Sequence, residues 1–461
     1  MVLTTKAQII NIPDANFKTK LLAASPSNSI ALNGTVSIKI DINDNNEIEV
    51  SEALLVTGLN VSIANIYNMS GIEYFSNLRS LNCNQNHIPA LDVSSLNNLK
   101  SLYCSLNLLT SLNLTGLTHL TNLECAENTL TQINFADATS IQNLSCRFNF
   151  LTSLDLNGLL SLQSLNCDYN QLTTLNLSNL VQLTNLGCQS NQFVALDLSP
   201  LVNLNFLNCS FNQLTSLDLS GLDNLTILNC SHNQISTLDL TNLTNLTLLN
   251  CEYNQIGNPF VLSEMTNLQS AYCHNNLIPS FTFTDMPSLE ILDCSSNQIA
   301  TLDVSILPAL SLLNCHENGQ LVYLNINNGI NEQFLDFSNN PILLNICADE
   351  GQLTMVQNLI TQYGYSNCQV SSTCNMAIAD NFVNANIKIY PNPVQNSLHI
   401  ESINGNVIHL ITIYDIIGQE IIALPCTGSD STVEVSNLKT GTYFIGINSD
   451  KGTAYSKFIK E

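Results

Sequence analysis

The chain has 461 residues, with Lys+Arg 12 against Asp+Glu 36 and a formal net charge of −24. So acidic a surface repels phosphate backbones and excludes nucleic acid as a partner. The sequence holds no run of about 18 apolar residues, so no membrane-spanning helix is expected.

Residues 1–77 do not repeat. Met1–Gln8 lacks the apolar stretch of a signal peptide, and Lys6-Ala7-Gln8 looks like the tail of a cleavage site whose export signal was trimmed or replaced. Ile12–Phe17 opens a short helix through Leu22, with Asp14 near its start. Ser37–Ile40 reads as a strand. Asp41–Glu52 then matches a twelve-residue EF-hand-type calcium loop. Side-chain oxygens stand at loop positions one, three and five (Asp41, Asn43, Asn45), with Glu47 at seven and Glu52 at twelve. Asn46 occupies the usual Gly position, and Asn tolerates a left-handed backbone better than most residues. A strand precedes the loop where an EF-hand has a helix, as in dockerin-like modules, which this segment resembles. Two readings stay open: a structural Ca2+ on these five residues, or a solvated acidic turn before a helix over 52–56. The stretch Leu59–Leu78 begins a leucine pattern irregularly and completes an N-terminal cap over 1–77.

Residues 78–375 repeat the phrase L-x-x-L-x-C-x-x-N-x-L-x-x-L-D-L-S-x-L. Twelve cysteines run from Cys83 to Cys315 at steps of 21, with one step of 22 between Cys251 and Cys273. An Asn follows each by three residues, and a thirteenth copy keeps Asn340 with Phe337 in the Cys position. This fixed period is the signature of a leucine-rich repeat solenoid. Leu165 and Cys167 alternate with Asn166, so they face inward and are buried by stacked neighbours. The Asn170 column is placed at the turn, where an amide can serve backbone groups of its own and the next coil. Neighbouring thiols are expected about 4.8 Å apart, beyond disulfide reach, which makes them buried free thiols. Their spacing offers no C-x-x-C pair and no His partner for a metal.

Most positions flanking the inward Leu and Cys are Asn or Ser. Tyr103, Glu124, Arg147, Asp168, Phe206, Glu252, Tyr272, His274 and His316 stand out from them. Two residues after Cys, a further column carries Phe148, Tyr169, Phe211, His232 and Tyr253. These rings, with Tyr103 and Tyr272, are the candidate ligand contacts of the concave face. The other reading has the column lying against the turn, its rings covering backbone. Asp197, Asp218 and Asp239 on successive coils form an acidic ridge, either solvated or bridged by a cation. Leu353–Tyr363 has helical spacing and would cover the open end. Of Cys347, Cys368 and Cys374, the pair Cys347–Cys374 is the disulfide candidate for an exported protein.

Residues 376–386 read as a linker. From 387 to 461 the chain changes style, and seven short strands predict a small β-sandwich. Here Tyr390-Pro391-Asn392-Pro393-Val394, Ile413–Glu420, Leu438–Tyr443 and Lys457–Lys460 stand in order. They resemble the type A sorting domain of the type IX secretion system. The resemblance implies contact with that secretion machinery, export across the outer membrane of a Gram-negative bacterium, and release or attachment at the cell surface. Residues 9–375 resemble the internalin-like leucine-rich repeat proteins of bacterial surfaces, which bind host proteins on the concave face. The repeat is one residue shorter than the usual internalin length, so fold carries over and partner does not.

The expected fold is mainly β with short helices and turns: a solenoid of about 13 repeats, an N-terminal cap and a C-terminal β-sandwich. No nucleophile with a His base and no Gly-rich phosphate loop is present, so an enzyme is not expected. The expected role is that of a secreted or surface protein, acting as a monomer, with an unknown protein or glycan partner. A structural or adhesive surface protein without a specific ligand is the alternative.

Overall fold

The computed structural model describes residues 8–374, 387–402, 405–414, 420–450 and 452–461. Residues 1–7, the stretch 376–386 expected to be a linker, and Asp415–Gln419 of the sorting motif lie outside the described residues. Two compact units are formed, one reaching Ile256 and including Glu264–Asn276, the other made of Gly257–Ser263 and Leu277–Glu461.

The first unit begins with helix α1 (Ala15–Leu22), which buries Phe17 and Leu21. Asp14 caps it. Its Oδ1 accepts from the Asn16 and Phe17 N–H groups, both at 2.9 Å. Its Oδ2 accepts from the Tyr67 and Asn68 N–H groups at 2.8 and 3.0 Å, so one carboxylate ties the helix to the first irregular coil. Burial pushes this carboxyl up, and the four N–H donors bring it below the ordinary Asp value.

Ala31–Asn33 pairs antiparallel with Val36–Ser37 and with Gly58–Asn60, and Gly58–Asn60 pairs parallel with Ser80–Asn82. The cap thus converts an antiparallel hairpin into the parallel ladder. The strand expected over 37–40 is confined to Val36–Ser37, and the helix expected over 52–56 is α2 (Val50–Ala53). That earlier start follows from Glu52, whose Oε2 reaches back to accept the Glu49 N–H at 3.0 Å.

Each coil contributes a three-residue strand. Ser164–Asn166 pairs in parallel with Asn143–Ser145 and Asn185–Gly187, every partner being one 21-residue repeat away. Leu165 and Cys167 are buried, as are the closing leucines Leu180, Leu201, Leu222 and Leu243. The L-D-L-S segment forms regular strands in few coils, such as Leu112–Asn113 with Ile133–Asn134. Elsewhere its Asp caps a turn: Asp197, Asp218 and Asp239 each accept the N–H two residues on, at 3.1, 3.0 and 3.0 Å. The acidic ridge is exposed, and bonds from the neighbouring Ser or Thr hydroxyl and N–H lower these carboxyls.

Within the second unit, Ile291–Asp293 pairs in parallel with Leu312–Asn314, and Leu312–Asn314 with Phe334–Asp336. A further parallel set joins Thr301–Asp303, Tyr323–Asn325, Asn345–Cys347 and Gln369–Ser371. Helix α3 (Leu353–Gln362) buries Val356 and Ile360. Phe337, in the Cys position, meets the Tyr363 ring at 5.2 Å. The Tyr365 hydroxyl donates to the Phe337 carbonyl at 3.0 Å and accepts from the Asn340 N–H at 2.7 Å, so the last rung is closed by cap tyrosines.

The C-terminal strands form two antiparallel sheets. One orders Ile387–Tyr390, Ser397–Ser402 and Asp430–Glu434. The other orders Glu420–Pro425, Ile408–Tyr414, Gly441–Ser449 and Gly452–Lys460. Leu398, Ile400, Ile411, Ile413, Ile445 and Phe458 are buried in its core.

Candidate functional site

The site is framed by two ladders. Asn170 Nδ2 lies 3.1 Å from the carbonyls of Cys146 and Cys167 and 3.2 Å from that of Asp168. Its Oδ1 accepts the Leu151 N–H at 3.0 Å. The amide therefore bridges to the preceding coil, not the next one as the sequence suggested. The donor and acceptor ends both find backbone behind them because the chain has just turned away from its own strand. The ladder thiols are buried and none of them is in a disulfide. Burial pushes Cys83, Cys125 and Cys209 up to about 12. Cys83, Cys125 and Cys167 lie against a carbonyl one coil on, as for Cys167 Sγ and Gly187 O at 3.4 Å, whereas the Cys251 thiol pairs with that of Cys273.

Between Cys and Asn the backbone must enter the left-handed region to leave the strand. Phe148, Tyr169, Ser190, Phe211, His232 and Tyr253 all sit at φ between 51° and 54°. A left-handed residue with a side chain costs about 1–2 kcal/mol, and bulky rings are rare there. The five rings are thus placed in the turn beyond the strands, on a ridge beside the sheet. They neither lie in the strands nor fold away. Phe148 stacks on Tyr169 at 4.2 Å between centroids, and Phe211, His232 and Tyr253 stack in series at 4.0 and 4.3 Å. Tyr169 stays 41% exposed and Phe211 48%. The Arg147 guanidinium lies 5.5 Å from the Phe148 centroid and covers that end of the ridge.

Tyr103 and Tyr272 stand apart from this ridge, as the last residues of strands Ser101–Tyr103 and Ser270–Tyr272, and are half-buried. Beside the ridge, Glu252 faces His274 Nε2 at 3.0 Å and His232 Nε2 at 3.8 Å. Asp168 is held up by burial, against the Gln189 N–H that donates to it at 2.7 Å. On the coils that carry Ser190 and Phe211, an open depression of about 660 Å³ is lined by Gln182, Thr184, Asn185, Asn203, Asn205 and Asn224.

The acidic loop closes on itself. Asp41 Oδ1 and Oδ2 accept the N–H groups of Asn45 and Asn46, both at 3.1 Å. Asn43 Oδ1 accepts the Asn45 N–H at 3.0 Å, and Glu52 Oε1 accepts that of Ile42 at 2.7 Å. Glu47 is turned away, its carboxylate 2.6 Å from Lys18 Nζ. Sequence reasoning missed Glu49, whose carboxylate meets the Asn45 amide at 2.7 Å and the Asn43 amide at 3.2 Å. The signal was its place at loop position nine. Glu49 and Glu52 are 3% and 6% exposed. Burial and the hydrogen bond to Glu49 push the Glu52 carboxyl up. The hydrogen bond with Glu52 lowers the Glu49 carboxyl, as do the Asn45 and Asn43 amides, so a proton shared by the pair rests on Glu52. The donor set is all oxygen, which suits a hard ion. Among the described residues, no group of three or more His, Cys, Asp or Glu is gathered on a metal position, so Asn and backbone oxygens would have to complete one. Cys347 and Cys374 are joined as a disulfide, with Cα atoms 5.3 Å apart.

Residues 388–461 match the secretion system C-terminal sorting domain family. No curated protein matches the chain. Among solved structures, the functional domain of InlJ from Listeria monocytogenes, which includes a cysteine ladder, is similar at 25% identity and a TM-score of 0.54, covering 99% of each chain. The internalin InlF from Listeria monocytogenes has 21% identity and a TM-score of 0.48, over 81% of this chain and 100% of that one. The leucine-rich effector YopM from Yersinia pestis has 23% identity and a TM-score of 0.45, over 59% and 78%. The chain is a leucine-rich repeat protein of internalin-like fold. Its C-terminal sorting domain is that of a secreted or cell-surface protein. Among the described residues no helix is long and apolar enough to cross a membrane.

Proposed function

We propose that this exported protein holds a partner protein against the aromatic turn ridge of its first unit, acting as a monomer and by binding rather than catalysis. The observation that carries this is the row of part-exposed, mutually stacked rings on the turns of neighbouring coils, a position that carries Gln85, Glu127, Ser190 and Ser296 in other coils. Exposed aromatic rings gathered in one place are a recurring mark of a contact surface. The similar InlJ domain supports a binding role by fold. Export through the type IX machinery of a Gram-negative bacterium is the matching address. The test is the full chain with Phe148, Tyr169, Phe211 and Tyr253 changed to Ser, a residue that Ser190 already carries at this turn. A surface protein captured by the unchanged chain should be identified, purified and titrated against both. Loss of binding at least tenfold in the variant is expected; equal affinity, or no captured partner at all, sinks the reading.

A glycan partner is the second reading, favoured by the amide-lined depression around Asn185, Asn205 and Asn224, since amides suit sugar hydroxyls. The ridge itself does not favour sugars, because most of its ring faces are covered by each other. The Asp41–Glu52 loop is proposed to take a structural Ca2+ on Asp41, Asn43, Asn45, Glu49 and Glu52, with Glu47 offering its backbone carbonyl only.

A further inference from the structure

The ring ladder is interrupted once. Tyr169 presents one face to Phe148, and Phe211 presents one face to His232. Their other faces look toward the coil between them, where the turn residue is Ser190. Ser190 holds the same left-handed geometry, φ 53°, as the ring-bearing positions on either side. The coil is therefore in register, and what is missing is the ring. Coils repeat at about 4.8 Å, so the Tyr169 and Phe211 rings stand roughly 8–10 Å apart. A planar group between two rings needs about 3.5–4.0 Å on each side, or roughly 7–8 Å in all. One planar group fits. Gln189 borders the gap, its Nε2 donating to the Tyr169 hydroxyl at 3.2 Å and its Oε1 accepting from Asn208 at 3.0 Å.

The ladder indicates which planar group. Its first ring, Phe148, is already capped by a guanidinium, that of Arg147. Two ring faces opposing each other present negative quadrupole from both sides, which favours a cation. The chain around them carries a net charge of −24, and the neighbouring coil places Asp168 beside Gln189. A lysine ammonium is compact and strongly hydrated and does not fill a slot; a guanidinium is flat and sheds water more readily. We propose that the vacant rung at Ser190 is a binding slot for an arginine side chain of the partner, sandwiched between Tyr169 and Phe211. This rests on the ridge being the contact surface proposed above and names the chemistry it selects.

The experiment titrates the full chain with three short capped peptides, Gly-Arg-Gly, Gly-Lys-Gly and Gly-citrulline-Gly, and with Gly-Tyr-Gly as an aromatic control, each followed by saturation-transfer NMR. Citrulline keeps the plane without the charge, and lysine the charge without the plane. The arginine peptide should bind roughly tenfold more tightly than either, with its side-chain methylene protons shifted upfield by the two rings. Ser190→Phe fills the rung and should abolish binding. It should fold, because Phe occupies the same turn geometry at positions 148 and 211. Ser296→Phe adds a ring at an equivalent turn elsewhere and should leave binding intact. Equal binding of the three peptides, or arginine binding that survives Ser190→Phe, overturns the proposal. So does tighter binding of a Gly-Tyr-Gly peptide. Should an identified partner still bind Ser190→Phe but not the four-ring variant, the slot fails while the ridge stands; if it binds both, the ridge has failed as well.

Discussion

Replacing Asn170 by Ala tests the frame that holds the ridge. The Asn170 side chain accepts the Leu151 N–H at 3.0 Å and serves the carbonyls of Cys146 and Cys167, each at 3.1 Å. The carbonyls are each served twice: Cys146 O also receives Asn149 Nδ2 at 3.0 Å, and Cys167 O receives Asn191 Nδ2 at 3.0 Å. Asn170→Ala therefore leaves one buried N–H without a partner and weakens two shared carbonyls. An orphaned buried group costs about 1–3 kcal/mol, so a loss of roughly 2–4 kcal/mol is expected for the variant. The sharper expectation is in the double variant. Asn149→Ala with Asn170→Ala strips Cys146 O of both donors, and the pair should lose about 1–3 kcal/mol more than the sum of the singles. Asn149→Ala with Asn212→Ala shares no carbonyl, since Asn212 serves Cys188 and Cys209, and should be additive. Urea unfolding followed by circular dichroism measures all the variants. Additivity in both cycles would refute the shared-carbonyl account.

Two further outcomes are expected. The thiols of Cys83, Cys125 and Cys209 are raised from 9.0 to about 12 by burial. Between those values the folded state keeps protons that the unfolded state releases, so stability is full below pH 9 and falls as pH rises toward 12. The slope reaches about 1.4 kcal/mol per pH unit for each thiol; a flat urea midpoint from pH 9 to pH 10.5, or labelling of ladder thiols in the folded chain, would contradict this. Calcium should raise the melting temperature of the full chain, with roughly 2.7 kcal/mol of stabilisation at a hundredfold excess over Kd. Glu52→Gln should remove the effect and Glu47→Gln should keep it, because the Glu47 side chain is committed to Lys18. No calcium response, or equal loss in both variants, would discard the site.

The ladders were legible in the sequence because each coil buries the same side chains at the same phase. A 21-residue period with Leu and Cys alternating around Asn leaves one way to stack, and the strands Asn143–Ser145 and Ser164–Asn166 pair in that register. The seven C-terminal strands were equally plain, since their apolar alternation is local. What the sequence could not settle was direction and orientation. Whether Asn170 reaches back or forward depends on where the turn carries the chain after the strand, which is a three-dimensional property. Glu47 and Glu49 are both acidic residues of one loop, yet Lys18, 29 positions earlier, draws one out, while the Asn43 and Asn45 amides hold the other in.

The sequence by itself determined the repeat, the inward faces, the caps and the export domain, because burial and period are carried by residue type and spacing. Only the tertiary structure decided that Phe148, Tyr169, Phe211, His232 and Tyr253 form a ridge at the turn, and that Ser190 leaves a gap in it. The physical reason is that a left-handed backbone, repeated at one coil spacing, brings side chains 21 residues apart into ring-to-ring contact. Spacing along the chain does not show which way those rings face.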